Sequence, residues 1–328
     1  MNRSIVRTAL TALLGALALV ALPLQAQNFP NKPVRLVIGY APGGLGDLLS
    51  RLLADKMSAR MKQPVLVENR PGAGGIGACE LVAKSPPDGY TLVFATSATH
   101  AINPTFYSKL PYDAVKDFAP VSLVALTHSV LLVHPSLPVK SVRELVDYAK
   151  ANPGKLNLGS PQVGTTQNLA AELFLSSAGL QAQVVPFNGT PPVITALRGG
   201  SLDAMVEILG PVMGQIKSGA LRPVAVLSDK RGAALPDVPA VREAGGNLAN
   251  FNVSSWNGLS VPAKTPQPIV ARLNKELQTI LNMPDVKARL SELSLYAQGS
   301  TPEQVGDILQ ADIRRWSEVI QRAKIEVK

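Results

Sequence analysis

Apolar positions recur along the chain at two alternating spacings. Val34-Arg-Leu-Val-Ile-Gly39 is a β-rich apolar run. Leu48, Leu49, Leu52, Leu53 and Met57 then repeat at helical spacing to about Met61. Pro64–Glu68 predicts a second strand, a helix reaches about Lys84, and Tyr90–Ala95 predicts a third strand. Val121–Ala125, Val130–His134, Leu156–Ser160, Gln183–Pro186, Ala204–Ile208 and Pro223–Leu227 read as further strands. Helices fall between them: Ser141-Val-Arg-Glu144 is a capping box opening one to Ala151, Gly164-Thr-Thr166 opens another through Ser177, and a third runs from Pro192 to about Arg198. Asn252–Gly258 leads into a strand at Leu259–Val261. Thr265-Pro266 and Thr301-Pro302 each place proline in the first turn of a helix, and the last helix carries Val305, Ile308, Leu309, Ile313, Trp316 and Ile320 on one face.

Strand–helix alternation at this spacing predicts α/β architecture with parallel pairing. Two such units are expected. The second is inserted into the first, because the chain ends in helices with no strands of their own. The expected division is residues 27–126 plus 254–328 for the first domain and 127–253 for the second. Ligands of open α/β sheets sit beyond the carboxyl ends of strands, so two facing domains leave a cleft between them.

The N-terminus adds an address. Arg3 and Arg7 precede an uncharged apolar run from Thr8 to Val20, Pro23 breaks it, and Leu24-Gln25-Ala26 suits cleavage. Residues 1–26 therefore predict a secretory signal and a soluble protein exported to the periplasm. The absence of cysteine after the apolar run argues against a lipoprotein anchor. Composition narrows the rest. With 46 % hydrophobic and 17 % charged residues the chain is not disordered. The single cysteine, Cys79, excludes an internal disulfide and a cysteine-cluster zinc site. Three histidines, His100, His128 and His134, argue against a His-rich metal centre, so no metal or cofactor is expected. The 32 basic residues exceed the 23 acidic ones but are scattered, and aromatics make up only 5 %. A nucleic-acid groove would need both features concentrated, so no nucleic-acid partner is expected.

The sharpest chemical signal is the turn after the first strand. Tyr40 is followed by Ala41-Pro42-Gly43-Gly44, with a helix opening near Leu45, Gly46 and Asp47. Glycines let backbone N–H groups approach a ligand, and free N–H groups at a helix start favour an anion. Asp47 suits a capping or loop-orienting role. This is not a dinucleotide fingerprint, since Leu49 stands where the third glycine belongs. It is not a phosphate-binding P-loop either, since no Gly-Lys-Ser/Thr closes it. A plain tight turn is the alternative reading.

Further segments stand in a characteristic order: Glu68-Asn-Arg-Pro-Gly-Ala-Gly-Gly75, Pro87-Asp-Gly-Tyr-Thr-Leu92, Thr96-Ser-Ala-Thr-His-Ala-Ile-Asn103, Leu110-Pro-Tyr-Asp113, Lys116-Asp-Phe-Ala-Pro-Val-Ser-Leu123, Leu235-Pro-Asp-Val-Pro239, Glu243-Ala-Gly245 and Trp256-Asn-Gly258. Jointly they resemble the Bug-type extracytoplasmic solute receptors, also called tripartite tricarboxylate transporter receptors, over essentially all of residues 28–328. The resemblance implies a two-domain periplasmic-binding-protein fold of type II. Each domain would be a mostly parallel sheet flanked by helices, and the pair would close like a flytrap on a small organic carboxylate. It implies delivery to inner-membrane permease subunits in some members and sensing in others. Carried over by position, Ala41, Pro42, Gly43, Gly44, Leu45, Gly46 and Asp47 would form one carboxylate loop, and Ser97, Thr99, His100, Ala101 and Asn103 the second. Gly164, Thr165, Thr166 and Asn168 would meet the distal end of the ligand, with Phe187, Asn188, Gly189, Thr190 and Glu207 on the far wall. The chain departs from the family pattern in four places. Gly74-Gly75-Ile76-Gly77 lacks an Asn, Asn168 stands where His is common, Phe187 where Tyr is common, and Glu207 where Asp is common.

Plainer roles compete at several positions. His100 could cap a turn and Glu207 could be an ordinary strand-end acid. Arg70 is expected to be structural or exposed, Trp256 packed at the domain junction, Trp316 in helix core, and Cys79 a small buried hydrophobe. The rival activity is an exported serine hydrolase built on Ser97, His100 and Asp113. No Gly-x-Ser-x-Gly elbow supports it.

Overall fold

The computed structural model describes residues 29–232 and 234–322, together with 325 and 327. The expected signal segment, residues 1–26, lies outside the described residues. The first lobe begins with β1 (Val34–Ile38), α1 (Leu45–Met61), β2 (Val65–Asn69), α2 (Ile76–Ala83) and β3 (Thr91–Thr96). β1 pairs in parallel with both β2 and β3. Val34, Leu36, Val37 and Ile38 of β1 are all buried, because helices cover both faces of the sheet. One face packs on α1 and on the later helix α8 (Gln267–Leu281), through Leu36, Leu53, Met57 and Leu273. The other packs Val37 and Val93 against Cys79 and Val82 of α2.

After a π-turn at Ser97–Ile102 and the short α3 (Asn103–Phe106), the chain enters β4 (Phe118–Val133), a single 16-residue strand. The second lobe follows as α4 (Val142–Ala151), β5 (Asn157–Ser160), α5 (Thr166–Ala178), β6 (Gln183–Pro186), α6 (Thr190–Arg198), β7 (Ala204–Ile208), α7 (Leu209–Lys217) and β8 (Arg222–Val226). β9 (Ser254–Pro262) returns to the first lobe, and α8, α9 (Pro284–Glu292), β10 (Leu295–Ala297) and α10 (Pro302–Arg322) complete the described chain. The strand order is β2-β1-β3-β9-β4-β7-β5-β6, with β8 and β10 also paired to β4.

β4 joins the two lobes. Its N-terminal part pairs with β9 as far as His128↔Ser254, and from Ser129↔Ile208 onward it pairs with β7. The sequence suggests two strands here because polar Thr127, His128 and Ser129 interrupt the apolar run. Those residues sit where the strand changes partners, and the backbone stays paired throughout. Each lobe's sheet is mixed rather than mostly parallel. The βαβ units give the parallel pairs β1–β2, β1–β3, β5–β6 and β5–β7, whereas β4 and β9 run antiparallel to their neighbours. The closing helices do contain a strand of their own, since β10 adds to β4 between α9 and α10. α7 was hidden in the sequence by Gly210, Pro211 and Gly214. The proline falls in the first turn, where its missing N–H costs nothing.

α10 crosses back over the junction. The Asp312 carboxylate accepts Trp256 Nε1–H at 2.8 Å and pairs with Arg315 at 2.9 Å, while Arg315 Nη1 donates to Asn252 O at 3.1 Å. Trp256 and Trp316 are both buried, in one core that also holds Ile102 of the first lobe and Phe174 of the second. Trp256 is thus junction packing, as expected. Asp312→Ala should leave the indole N–H without its partner and cost about 2–3 kcal/mol in urea unfolding, with Asp312→Asn costing less. An unchanged unfolding midpoint in the alanine variant would contradict this role.

Candidate functional site

A cavity of about 1030 Å³ is lined by residues of both lobes. The first lobe contributes Gly39, Tyr40, Leu45, Gly46 and Leu49, the glycines 72, 74 and 75, and Thr96, Ala98, Asn103 and Tyr107. The second contributes Gln162 to Gln167, Pro186 to Asn188 and Ile208. Thr127, Ser255 and Asn257 come from the connecting strands. Among the described residues the wall contains no Lys, Arg, His, Asp or Glu. Any charge on a ligand must be met by dipoles.

The start of α1 supplies them. Its N-cap, Gly44, has no capping side chain, and the first helical bond runs from Leu48 N to Gly44 O. The N–H groups of Leu45, Gly46 and Asp47 therefore have no acceptor within the described protein. The turn before them is held from behind. Asp47 Oδ2 accepts from Gly43 N and Arg51 Nε, both at 2.9 Å, and Asp47 Oδ1 accepts from Asn69 Nδ2 at 2.8 Å. Asn69 also donates to Tyr40 O at 3.0 Å and accepts from Arg51. The Arg51 guanidinium, with the Gly43 and Asn69 donors, pulls the Asp47 carboxyl down to about 2. Asp47 is buried and off the cavity wall, so it orients the loop rather than lining the site.

Two close approaches shape the floor. A Cβ on Gly39 would stand 2.5 Å from Gly75 Cα, so two backbones touch where side chains would force them apart. A Cβ on Gly46 would stand 2.9 Å from the Tyr40 ring, whose hydroxyl reaches Thr96 Oγ1 at 3.2 Å.

In the π-turn, Thr96 and Thr99 cap each other reciprocally. Tyr112 OH donates to Thr99 O at 2.6 Å and accepts from Asn103 Nδ2 at 3.2 Å. His100 is buried with its ring centroid 4.8 Å from that of Phe118. Its Nδ1 meets Thr99 Oγ1 at 2.9 Å, and its Nε2 has no partner. Burial pushes it down to about 4, so it is neutral at physiological pH. Ser97 Oγ bonds Ser255 Oγ at 2.6 Å, not His100, and Asp113 accepts the amides of Val115 and Lys116. The side chains suggested for a hydrolase are not brought together.

In the second lobe, Thr165 caps α5 through Asn168 N, and Asn168 itself bridges Gly164 N and Ser160 Oγ. The amides of Thr166 and Gln167 have no acceptor within the described protein. Glu207 is fully buried. Its Oε1 accepts from Gln167 Nε2 and from Ile208 N, both at 2.8 Å. Burial pushes its carboxyl up, partly offset by Gln167, the Ile208 amide and the Thr190 hydroxyl.

Among the residues singled out in the sequence, Leu45, Gly46, Asn103, Gly164, Thr165, Thr166, Phe187 and Asn188 lie on the wall. Ala41, Pro42, Gly43, Gly44 and Asp47 form the turn behind it. Thr99, His100 and Ala101 face core, Ser97 is buried with its hydroxyl on Ser255, Asn168 pins its loop, and Gly189, Thr190 and Glu207 lie off the wall. Sequence reasoning missed Tyr40, Gln162, Gln167 and Asn257. Gln167 directly follows the predicted helix start, and Asn257 lies inside the Trp256-Asn-Gly258 motif, so both had a positional signal.

Two α/β lobes around a cleft with unpaired helix-start amides define a solute-binding protein. Residues 49–325 match the sequence model of the Tripartite tricarboxylate transporter family receptor. The chain belongs to this family. It is 35 % identical over 308 residues to the "UPF0065 protein in tcbD-tcbE intergenic region" of Pseudomonas sp. (strain P51), covering 93 % of this chain and 91 % of the relative. It resembles the structure of "R. palustris Rpa4515 with adipate", at 33 % identity and TM-score 0.79, covering 90 % of this chain and 99 % of the other. It also resembles "MatC (Rpa3494) from Rhodopseudomonas palustris with bound malate", at 33 % identity and TM-score 0.74, covering 89 % and 100 %.

The Asp47 anchor predicts a pH signature. Its folded-state value lies below its ordinary 3.8, so its stabilisation is complete above about pH 4 and is lost as pH falls through about 2. The melting-temperature gap between the wild type and Asp47→Asn should be constant near neutrality and shrink from about pH 4 to about pH 2. A gap unchanged across that window would contradict the anchor.

Proposed function

We propose that the protein is a periplasmic receptor that captures one small organic carboxylate by closure of the two lobes and hands it to the membrane subunits of a tripartite transporter. The reading rests on one observation above all: three consecutive amides, of Leu45, Gly46 and Asp47, open without acceptors beside a cavity whose wall carries no charged side chain. An anion placed there gains charge-assisted hydrogen bonds and the dipole of α1, while no fixed cation is needed. Family membership and two similar structures, one with adipate and one with bound malate, support the carboxylate class. Among the described residues no helix is long and apolar enough to cross a membrane. The domain division at 126/127 and 253/254 is part of the proposal, supported by the change of partner along β4. Closure couples to ligand because only a closed cleft contacts it from both lobes.

Leu45→Pro isolates the amide. Leu45 is the first helical residue, where proline is tolerated, and Gly44 already has the extended geometry a residue before proline needs. The substitution removes one N–H and should weaken carboxylate binding by about ten- to a hundredfold in calorimetry, with little change in melting temperature. Leu45→Ala, which keeps the N–H, should lose much less. Equal losses in the two variants would assign the effect to the side chain and overturn the amide reading.

A further inference from the structure

The side-chain amides on the cavity wall are oriented by partners that leave them no choice. Asn103 Nδ2 lies 3.1 Å from Gly74 O, a carbonyl, and 3.2 Å from Tyr112 OH, which already spends its proton on Thr99 O. Both partners can only accept, so the NH₂ group points to them and Oδ1 is left over. Asn257 Nδ2 faces Ala125 O and Thr127 Oγ1, and the carbonyl again fixes the amide. Gln167 Nε2 donates to Glu207 Oε1 at 2.8 Å. That oxygen also accepts from Ile208 N, so it remains an acceptor whether or not the other carboxyl oxygen holds a proton. Asn103 and Asn257 thus spend both NH₂ hydrogens on the protein and Gln167 spends one, and each of the three keeps its carbonyl oxygen for a ligand. The Gln162–Asn188 pair, bonded at 2.9 Å, leaves one oxygen and one NH₂ and is neutral in this respect.

In the second lobe the consequence is a mixed subsite. The amides of Thr166 and Gln167 are free to donate, while the Gln167 side chain accepts. A hydroxyl satisfies both kinds of partner at once. A second carboxylate only accepts and would meet the Gln167 oxygen with no proton to offer. An ammonium only donates and would leave the amides unpaired. Accepting the carboxylate reading of the site, we infer that the ligand carries a hydroxyl at the end opposite its carboxylate head, and that Glu207 is the positioning residue that imposes this by fixing the Gln167 amide.

The test uses chain-matched probes: adipate, 6-hydroxyhexanoate and 6-aminohexanoate, with succinate, 4-hydroxybutyrate and 4-aminobutyrate as the shorter set. Each is titrated into the full-length mature protein freed of retained ligand. The wild type should bind the hydroxy acid of at least one set about tenfold tighter than its dicarboxylate and its amino acid. Gln167→Met, which keeps the backbone amide, should abolish that margin, weakening the hydroxy acid while the dicarboxylate, relieved of the facing oxygen, binds more tightly than to the wild type. Glu207→Met, which frees the Gln167 amide to turn, should do the same, whereas Glu207→Gln, which retains an acceptor oxygen, should preserve most of the margin. Wild-type binding of the dicarboxylate as tightly as the hydroxy acid in both sets would overturn the inference while sustaining the carboxylate reading. So would a margin that survives in Gln167→Met. Failure of all six probes to bind would overturn the carboxylate reading itself, and the inference with it.

Discussion

Everything the site can do follows from a helix that starts without a cap. A side chain at the N-cap ordinarily satisfies one of the exposed amides, but Gly44 has none, and Leu45, Gly46 and Asp47 are left facing a cavity with no charged side chain in its wall. The one acid in that first turn, Asp47, would otherwise compete for the amides. It is instead turned backward by Arg51, Asn69 and Gly43. The loop is therefore rigid and electropositive without carrying a formal positive charge toward the ligand. Such a site discriminates by geometry, because peptide donors stay where the backbone puts them, whereas a lysine would follow the ligand.

The fold exists to bring a second such start opposite the first. β4 extends through both lobes and β9 runs back along it, so the lobes share continuous hydrogen-bonded strands at their junction. α10 ties the same junction from behind through Asp312, Trp256 and Arg315. On the other side of the junction α1 and α5 present their N-termini to the shared cavity. The polar residues at the crossing, Thr127 and Asn257, are also wall residues, so the strand connection and the ligand site are one structure.

Much of this was legible in the sequence. The βαβ rhythm, the N-cap at Ser141, the glycine turn at 43–44 and the second-lobe helix start at 164–166 each follow from local rules of backbone geometry; the expected capping box forms by half, since Glu144 accepts from Lys140 N and not from Ser141 N. What was hidden depends on long-range pairing. β4 looked like two strands because its polar middle is explained only by its partners Ser254 and Ile208. β10 is three residues long and is recognisable only by its pairing with Ala125 to Thr127. At the site, His100 and Ser97 drew attention as reactive residue types, yet tertiary packing turns one into the aromatic core and the other toward Ser255. Gln167 and Asn257 lie beside or inside segments the sequence marks, but what each amide offers a ligand becomes readable only when its own hydrogen-bond partner is known.

The central claim is that peptide nitrogens hold the ligand's negative head. A high-resolution crystal structure of the protein with its retained ligand tests this most directly. The account predicts a carboxylate oxygen within about 2.7–3.2 Å of at least two of the backbone nitrogens of Leu45, Gly46 and Asp47, with no side-chain cation in contact. A carboxylate seated elsewhere in the cleft, or paired with a lysine or arginine, would contradict it.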